Sequence, residues 1–214
     1  MKCLITGGSS GIGKDMAKTL SLLGNEIILV SKDENKLIVI NDAGFGAFGD
    51  YSEVSLEREM EMVKVNVISL HKITKTCLKY MEGNKNAHIL NVASIAGLLP
   101  GGPLLGTYYA TKSYVKSYTL GIYEELRRKG STIKISCLCP GPVNTNFNNV
   151  AGGHFSINSK TSSFVSEYAI KYMFKNKLII LPGTDVKLGS FFGKILPSKL
   201  VLKILYKVEH KKRG

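Results

Sequence analysis

Residues 6–13 read T-G-G-S-S-G-I-G, between the apolar run Cys3-Leu4-Ile5 and a helix-patterned segment at 14–20. This order predicts a strand, a glycine-rich turn and a helix. The glycines allow a tight turn and close approach to a pyrophosphate, which the free N–H groups of the helix would bind. The spacing differs from G-x-G-x-x-G, so an ordinary turn is an equal alternative. The candidate phosphate-binding residues are Gly7, Ser9, Ser10, Gly11, Ile12 and Gly13.

Downstream, short apolar runs alternate with segments of helical periodicity. Strand-like runs lie at 26–30, 37–40, 87–92, 133–138 and 177–181. Helical segments lie at 52–81, 107–129 and 162–174, the last with Ser162 or Ser163 as its predicted cap. Apolar strands that alternate with helices predict an α/β fold, in which helices cover both faces of a parallel sheet.

The charge balance is strongly basic, with 29 basic and 16 acidic residues and a formal net charge of +13. Such a charge suits an anionic cofactor, nucleic acid or a membrane surface. A nucleic-acid platform would interleave basic and aromatic residues, and outside the basic tail at 199–213 the sequence has no such pattern. We therefore expect no nucleic-acid partner.

The cysteines and the N-terminus indicate the compartment. Cys3, Cys77, Cys137 and Cys139 are too few for a disulfide framework, and buried reduced thiols are the favoured interpretation. A metal clip at 137–139 lacks further ligands at a usual spacing, so no metal site is predicted. No apolar targeting segment precedes residue 6 and no run of 18 apolar residues occurs, which predicts a cytoplasmic protein.

A second informative stretch places Ser94 at the carboxyl end of a predicted strand, and Tyr108 and Lys112 follow on a helix. Residues four apart share a helix face, whereas Tyr109 points about 100° away. The pair is either an ordinary surface pair or an acid–base couple, in which the ammonium lowers the pKa of the phenol. Ser94 would then hold the reacting oxygen while Tyr108 moves the proton.

Six ordered motifs together resemble the short-chain dehydrogenase/reductase family over nearly the whole chain. They are the turn at 6–13, N-x-A-G at 41–44, Asn66, Ser94, Tyr108 with Lys112, and P-G-P-V-N-T at 140–145. The resemblance implies a Rossmann-type doubly wound parallel sheet in one NAD(P)-binding domain at 1–214. It also implies an oxidoreductase that interconverts a ketone or aldehyde and an alcohol, with a homodimer or homotetramer built on the helices near 55–81 and 107–129.

The resemblance implies a role for each matching residue. Tyr108 would be the general acid or base, Lys112 would bind the nicotinamide ribose and depress the pKa of Tyr108, and Ser94 would hold the substrate oxygen. Asn66 would hold a water in a proton relay behind Lys112. The adenosine side would be lined by Asn41, Ala43 and Gly44, and the nicotinamide end would be seated by Pro140, Gly141, Val143 and Thr145.

Cofactor preference depends on the residue after the second strand, where a base would meet a 2′-phosphate. Lys32 therefore favours NADP(H) over NAD(H), although Asp33 follows it and a solvated turn lysine is the alternative.

The chain departs from the family between the second strand and N-x-A-G. The resemblance implies a helix, a strand and a further helix there, but only Ser31 to Lys36 are present. Six extended residues reach about 20–25 Å, barely enough to cross a neighbouring strand. We expect one strand and its flanking helices to be missing, which would weaken adenine binding. The alternative function is accordingly a catalytically degenerate nucleotide-binding or membrane-associated relative.

Two further segments bear on the substrate. The polar stretch at 146–162 is predicted to be a substrate loop. A basic amphipathic helix at about 198–212 carries an apolar stripe formed by Leu200, Val201, Ile204, Leu205 and Val208. We expect this stripe to pack on the domain rather than on a membrane surface or a partner helix. These segments resemble those of reductases acting on acyl or steroid-like substrates.

Overall fold

A parallel sheet forms the centre of the computed structural model, which describes residues 2–27, 37–152 and 159–211. The strands are β1 (Lys2–Thr6), β2 (Glu26–Ile27), β3 (Leu37–Asn41), β4 (Ala87–Val92), β5 (Lys134–Leu138), β6 (Val143–Asn144), β7 (Lys160–Thr161) and β8 (Ile179–Ile180). The main sheet has the order β2-β1-β3-β4-β5-β8, and β6 pairs with β7 separately. Since β2 and β3 flank β1 on opposite sides, the predicted doubly wound arrangement is confirmed.

The helices are α1 (Gly11–Leu22), α2 (Leu56–Val63), α3 (Leu70–Tyr80), α4 (Gly106–Arg128), α5 (Phe147–Ala151), α6 (Ser162–Phe174), α7 (Thr184–Ile195) and α8 (Ser198–His210). A π-helical turn at Lys64–Ser69 joins α2 to α3, and a 3₁₀ turn at Ile95–Leu98 precedes α4. Within the three described ranges, every helix is too short or too polar to cross a bilayer.

Side chains that alternate along the strands build a core on each face of the sheet. Ile38 and Ile40 pack with Met16 of α1 and Ile170 of α6 on one face. Val39, between them in sequence, packs in another cluster with Ile122 of α4. This alternation follows from the two-residue period of a strand, and both faces are covered by helices.

A buried polar network ties the carboxyl ends of β3 and β4 to the helices. Asn41 Nδ2 donates to Asn91 Oδ1 at 2.8 Å and to Thr74 Oγ1 at 3.1 Å. Asn91 Nδ2 donates to Thr119 Oγ1 at 3.0 Å, and Thr119 in turn donates to the carbonyl of Val115. Because these side chains are buried, the network holds the strand ends in register.

Several boundaries differ from the sequence prediction. The second strand is described only at Glu26–Ile27, and the short connection, including residues 28–36, lies outside the described residues. The long helical segment begins at Leu56, where the Ser55 hydroxyl accepts from the amide of Arg58. Neither Ser162 nor Ser163 caps α6, because Thr161 does so through the amide of Phe164.

The C-terminal third has more regular structure than predicted. The stretch at 146–162 contains α5 and β7 rather than a continuous loop, and its residues 153–158 lie outside the described chain. Helix α7 was not predicted at all. Its apolar residues lie on the exposed face as well as the buried one, so it lacks the polar outer face that usually reveals a helix in sequence.

We predict that the buried polar network contributes to the free energy of unfolding. Thr119→Val keeps the shape of the side chain but removes the acceptor of the Asn91 amide, so we expect a loss of about 1–3 kcal/mol in the free energy of unfolding. Urea denaturation measures this loss. The control is Thr132→Val, because Thr132 is exposed and donates only to the carbonyl of Asn84; equal losses in the two variants would contradict the prediction.

Candidate active site

One cavity, of about 280 Å³, opens at the carboxyl ends of β1, β3, β4 and β5. These ends lie at one edge because the strands are parallel, and ligands of open α/β sheets bind at that edge. The predicted site residues that line it are Gly7, Ser10, Gly11, Ile12, Ala43, Gly44, Ser94, Tyr108, Lys112, Pro140, Gly141, Val143 and Thr145. The structure therefore brings together motifs that are far apart in sequence.

The glycine-rich turn forms one wall of the cavity and needs its glycines. Gly7 has a φ of +73°, and a Cβ there would lie 2.9 Å from the amide nitrogen of Ala43. A Cβ on Gly13 would lie 2.6 Å from the carbonyl oxygen of Gly7. Neither contact is possible for a larger residue without displacing backbone. Ser9 and Gly13 support the turn without lining the cavity.

Ser94 and Tyr108 meet in the opposite wall. Ser94 follows β4, and its hydroxyl accepts from the amide of Ala96 at 3.2 Å. Burial raises the pKa of Tyr108 to about 12, and a hydrogen bond with the Ser94 hydroxyl opposes this shift. The phenol is consequently protonated at neutral pH and can donate its proton to an acceptor in the cavity.

Lys112 lies one helical turn from Tyr108 and is buried. Its ammonium donates to the carbonyl oxygen of Val92 at 3.0 Å and lies 5.8 Å from the centre of the Tyr108 ring. Burial lowers the pKa of Lys112, while the charge of Asp42 raises it. We expected Lys112 to depress the pKa of Tyr108, but in the structure burial dominates and that pKa is raised.

The two predicted asparagines are buried beside the cavity rather than in its wall. Asn66 lies in the π-helical turn and bonds both the amide and the carbonyl of Phe45, at 3.0 and 2.9 Å, and the hydroxyl of Thr111. These hydrogen bonds therefore fix the position of Phe45 in the segment that follows β3. Asn41 belongs to the network with Asn91, so the structure does not place it on the adenosine side. Lys32 lies outside the described residues.

Asp42 is a charged residue of the cavity that was not among the predicted site residues. Its Oδ2 accepts from the amide of Gly13 at 2.9 Å, which links the end of β3 to the first turn of α1. Burial raises the pKa of this carboxyl to about 6, against the opposing effects of Lys112 and the Gly13 amide. In the sequence, Asp42 is the variable second residue of the N-x-A-G element at 41–44, which gives no signal of a site residue.

Tyr109 and Glu209 also line the cavity and were missed. The Tyr109 hydroxyl donates to Glu209 Oε1 at 3.4 Å, and burial and the Glu209 charge raise the pKa of Tyr109. The angle of about 100° between Tyr108 and Tyr109 on the helix predicts that Tyr109 points away from the site. The cavity nevertheless extends around the start of α4 and reaches Tyr109. Glu209 had one weak signal, because it is the single acid in the basic tail at 199–213.

The comparison with protein families matches the short chain dehydrogenase family model to residues 37–153, more than half of the chain. The chain belongs to the short-chain dehydrogenase/reductase family. This membership makes it an NAD(P)-dependent oxidoreductase and confirms the resemblance carried by the sequence motifs.

Curated relatives agree with the family. An uncharacterized oxidoreductase of Staphylococcus epidermidis is 27% identical over 181 residues, covering 66% of this chain and 77% of the relative. A very-long-chain 3-oxoacyl-CoA reductase of Rattus norvegicus is 27% identical over 174 residues, covering 59% of this chain and 55% of that protein. The chain thus spans about half the length of the rat relative.

Solved structures of the family share the fold. A short-chain dehydrogenase of Sphingobium yanoikuyae in complex with NADPH has a TM-score of 0.77 at 19% identity, covering 90% of this chain and 92% of that one. One of Burkholderia phymatum in complex with NAD has a TM-score of 0.74 at 24% identity, covering 89% and 92%. The Rossmann-type fold is therefore confirmed.

The residues present fit a dinucleotide in this family member. The turn at 6–13 exposes the start of α1 to the cavity, and the first turn of α1 contains no acidic residue of its own. The Asp42 carboxyl occupies the Gly13 amide, so a phosphate would bind the other free amides of the turn. Such a helix terminus favours a phosphate group. The cavity volume of about 280 Å³ is near the lower end of ligand pockets, which hold roughly 300–1,000 Å³.

The raised pKa of Asp42 makes a prediction for the pH dependence of stability. Because the folded-state pKa of about 6 exceeds the ordinary 3.8, the stabilising contribution is present below 3.8 and is lost as the pH rises to about 6. Asp42→Asn keeps the acceptor for Gly13 but does not ionise. We expect the variant to match the wild type near pH 3.8 and to exceed its free energy of unfolding above pH 6.

Urea denaturation across this pH range measures the difference. The control is Asp185→Asn. A hydrogen bond from Lys160 lowers the pKa of Asp185, so the change in the free energy of unfolding with pH should have the opposite sign. A difference between wild type and Asp42→Asn that did not vary with pH would contradict the prediction.

Proposed function

We propose that this protein is an NADP(H)-dependent oxidoreductase that interconverts a ketone or aldehyde and an alcohol, with Tyr108 as general acid and base. The observation that carries the proposal is the convergence of Ser94, Tyr108 and Lys112 on one wall of the cavity that the glycine-rich turn also lines. The turn would hold the pyrophosphate, Ala43 and Gly44 the adenosine side, and the segment at 140–145 the nicotinamide side.

In reduction, the bound nicotinamide supplies the hydride to the carbonyl carbon. The Ser94 hydroxyl donates a hydrogen bond to the carbonyl oxygen and stabilises the charge that develops there. The proton of the Tyr108 hydroxyl passes to the same oxygen and completes the alcohol, and a proton from solvent restores the phenol. Lys112, fixed by the carbonyl of Val92, binds the nicotinamide ribose and stabilises the phenolate. In oxidation the Tyr108 phenolate takes the proton from the alcohol.

An apolar carbonyl compound is the substrate class that the cavity favours. Leu105, Tyr109, Phe147 and Val150 line the cavity near Tyr108, and hydrophobic walls select apolar substrates. The rat relative is a reductase of very-long-chain 3-oxoacyl-CoA, which supports an acyl or similar chain as the group beside the carbonyl.

The site prediction for Tyr108 is tested by Tyr108→Phe. Removal of the hydroxyl removes the transferred proton, so we expect carbonyl reduction to fall by about 10²–10⁴-fold while NADPH affinity stays nearly unchanged. Steady-state kinetics with a panel of aliphatic and aromatic ketones measures turnover. Tyr109→Phe is the matched control, because the Tyr109 hydroxyl contacts Glu209 rather than Ser94. Unimpaired turnover by Tyr108→Phe would refute the role.

The cofactor preference rests on Lys32, since solved relatives bind NADPH in one case and NAD in another. We expect fluorescence titration to give tighter binding of NADPH than of NADH. Lys32→Ala should weaken NADPH about tenfold or more and leave NADH unchanged, because only the 2′-phosphate loses a charged partner. Equal effects on both would contradict the assignment, and no saturable binding of either would favour the degenerate alternative.

The proposal also includes the location and the assembly of the protein. We place the protein in the cytoplasm and expect a homodimer or homotetramer through the helices near 55–81 and 107–129. Light scattering of the purified chain measures the assembly.

A further inference from the structure

Helix α7 presents an apolar face that the domain does not use. Leu188, Phe191, Phe192 and Ile195 recur at a helical spacing, and each is between 53% and 62% exposed. The opposite face packs inward, since Val186 and Ser190 are buried and Gly193 lies against Leu99. Exposure of two phenylalanines to water on one helix face is unfavourable because of the hydrophobic effect. It indicates that this face binds another molecule.

Helix α8 follows α7 after a two-residue connection and also exposes apolar side chains. Its predicted apolar stripe is divided in the structure: Val201 is buried and Leu205 packs beside Tyr109. Leu200 and Ile204 are 45% and 46% exposed, so the expectation that the whole stripe packs on the domain is wrong for these two residues. The exposed side chains of residues 186–211 together form the terminal surface.

The charges of the terminal surface are almost all positive. Its six exposed lysines are Lys187, Lys194, Lys199, Lys203, Lys207 and Lys211. The single acid between residues 186 and 211 is Glu209, which is only 4% exposed and faces the cavity. The surface thus combines large apolar side chains with lysines and displays no acidic side chain.

This charge distribution indicates which kind of partner binds the terminal surface. A second copy in a twofold interface would place the lysines of one terminal surface against those of the other, and like charges repel. An anionic lipid surface complements them: apolar side chains enter the boundary of the acyl chains, and lysines extend their stems and place the ammonium groups among the phosphates. No described helix could span the bilayer, so the contact would be peripheral.

We propose that the terminal surface docks the protein on anionic membranes. The inference does not depend on the proposed catalytic function, because no residue of the terminal surface is assigned to catalysis or cofactor binding.

Co-sedimentation of the full chain with lipid vesicles tests the proposal. We expect binding to phosphatidylcholine vesicles that contain about 30 mol% phosphatidylserine, much weaker binding to phosphatidylcholine alone, and partial release at about 0.5 M salt. Absence of binding to the anionic vesicles, or equal binding to both kinds, would overturn the proposal.

Matched variants separate the two contributions. Lys203→Ala with Lys207→Ala should weaken binding about 25-fold, at about fivefold for each lysine. The exposed pair Lys171→Ala with Lys175→Ala, at the end of α6, should not weaken it. Phe191→Ser with Phe192→Ser should weaken it at least tenfold, to be compared with Leu22→Ser and Leu23→Ser, which are exposed at the end of α1. Losses of similar size in the control variants would overturn the proposal.

Light scattering and NADPH titration complete the test. Unchanged oligomeric mass and cofactor affinity in the Phe191 and Phe192 double variant would show that its loss of vesicle binding is a surface effect and support the proposal. A smaller oligomer in that variant would instead identify the terminal surface as a protein interface and overturn it. Absence of NADPH binding by the wild type would contradict the proposed function but not the proposal of membrane docking.

Discussion

The parallel pairing of β1 with β3 sets the geometry of the candidate site. Five residue pairs, from Lys2 with Leu37 to Thr6 with Asn41, bring both strands to the same end point. The next residues of each strand then meet, so that Gly7 lies against Ala43 and Asp42 reaches the amide of Gly13. A shift of one residue would turn every alternating side chain to the other face and separate the turn from its supports.

The charges of the cavity explain why its acid–base group is neutral. Burial is the main cause that raises the pKa of Tyr108, and the charges of Asp42 and Glu209 add to it against the hydrogen bond with Ser94. Lys112 is held by the carbonyl of Val92, and burial lowers its pKa while the charge of Asp42 raises it. The site thus keeps a proton on Tyr108 at neutral pH, as its proposed role as the acid of carbonyl reduction requires.

Local patterns predicted the parts of this molecule that depend on nearby residues. The alternation of apolar runs with helical periodicity gave the sheet and most helices, and the four-residue spacing of Tyr108 and Lys112 correctly placed both in one wall. Asn41 illustrates the limit, because its role depends on Asn91, Thr74 and Thr119 in other elements. The raised pKa of Asp42 likewise results from burial, which no local spacing records. Helix α7 was not predicted because its apolar residues lie on both of its faces, which removes the polar outer face of the usual helical pattern.

The contact between Tyr109 and Glu209 joins residues 100 positions apart, and the cavity that they line begins with Gly7. Its walls are therefore supplied by short segments that are spread along the chain from Gly7 to Glu209. Contacts of such high sequence separation are costly to close during folding. The cavity is consequently complete only when segments that are far apart in sequence have packed together.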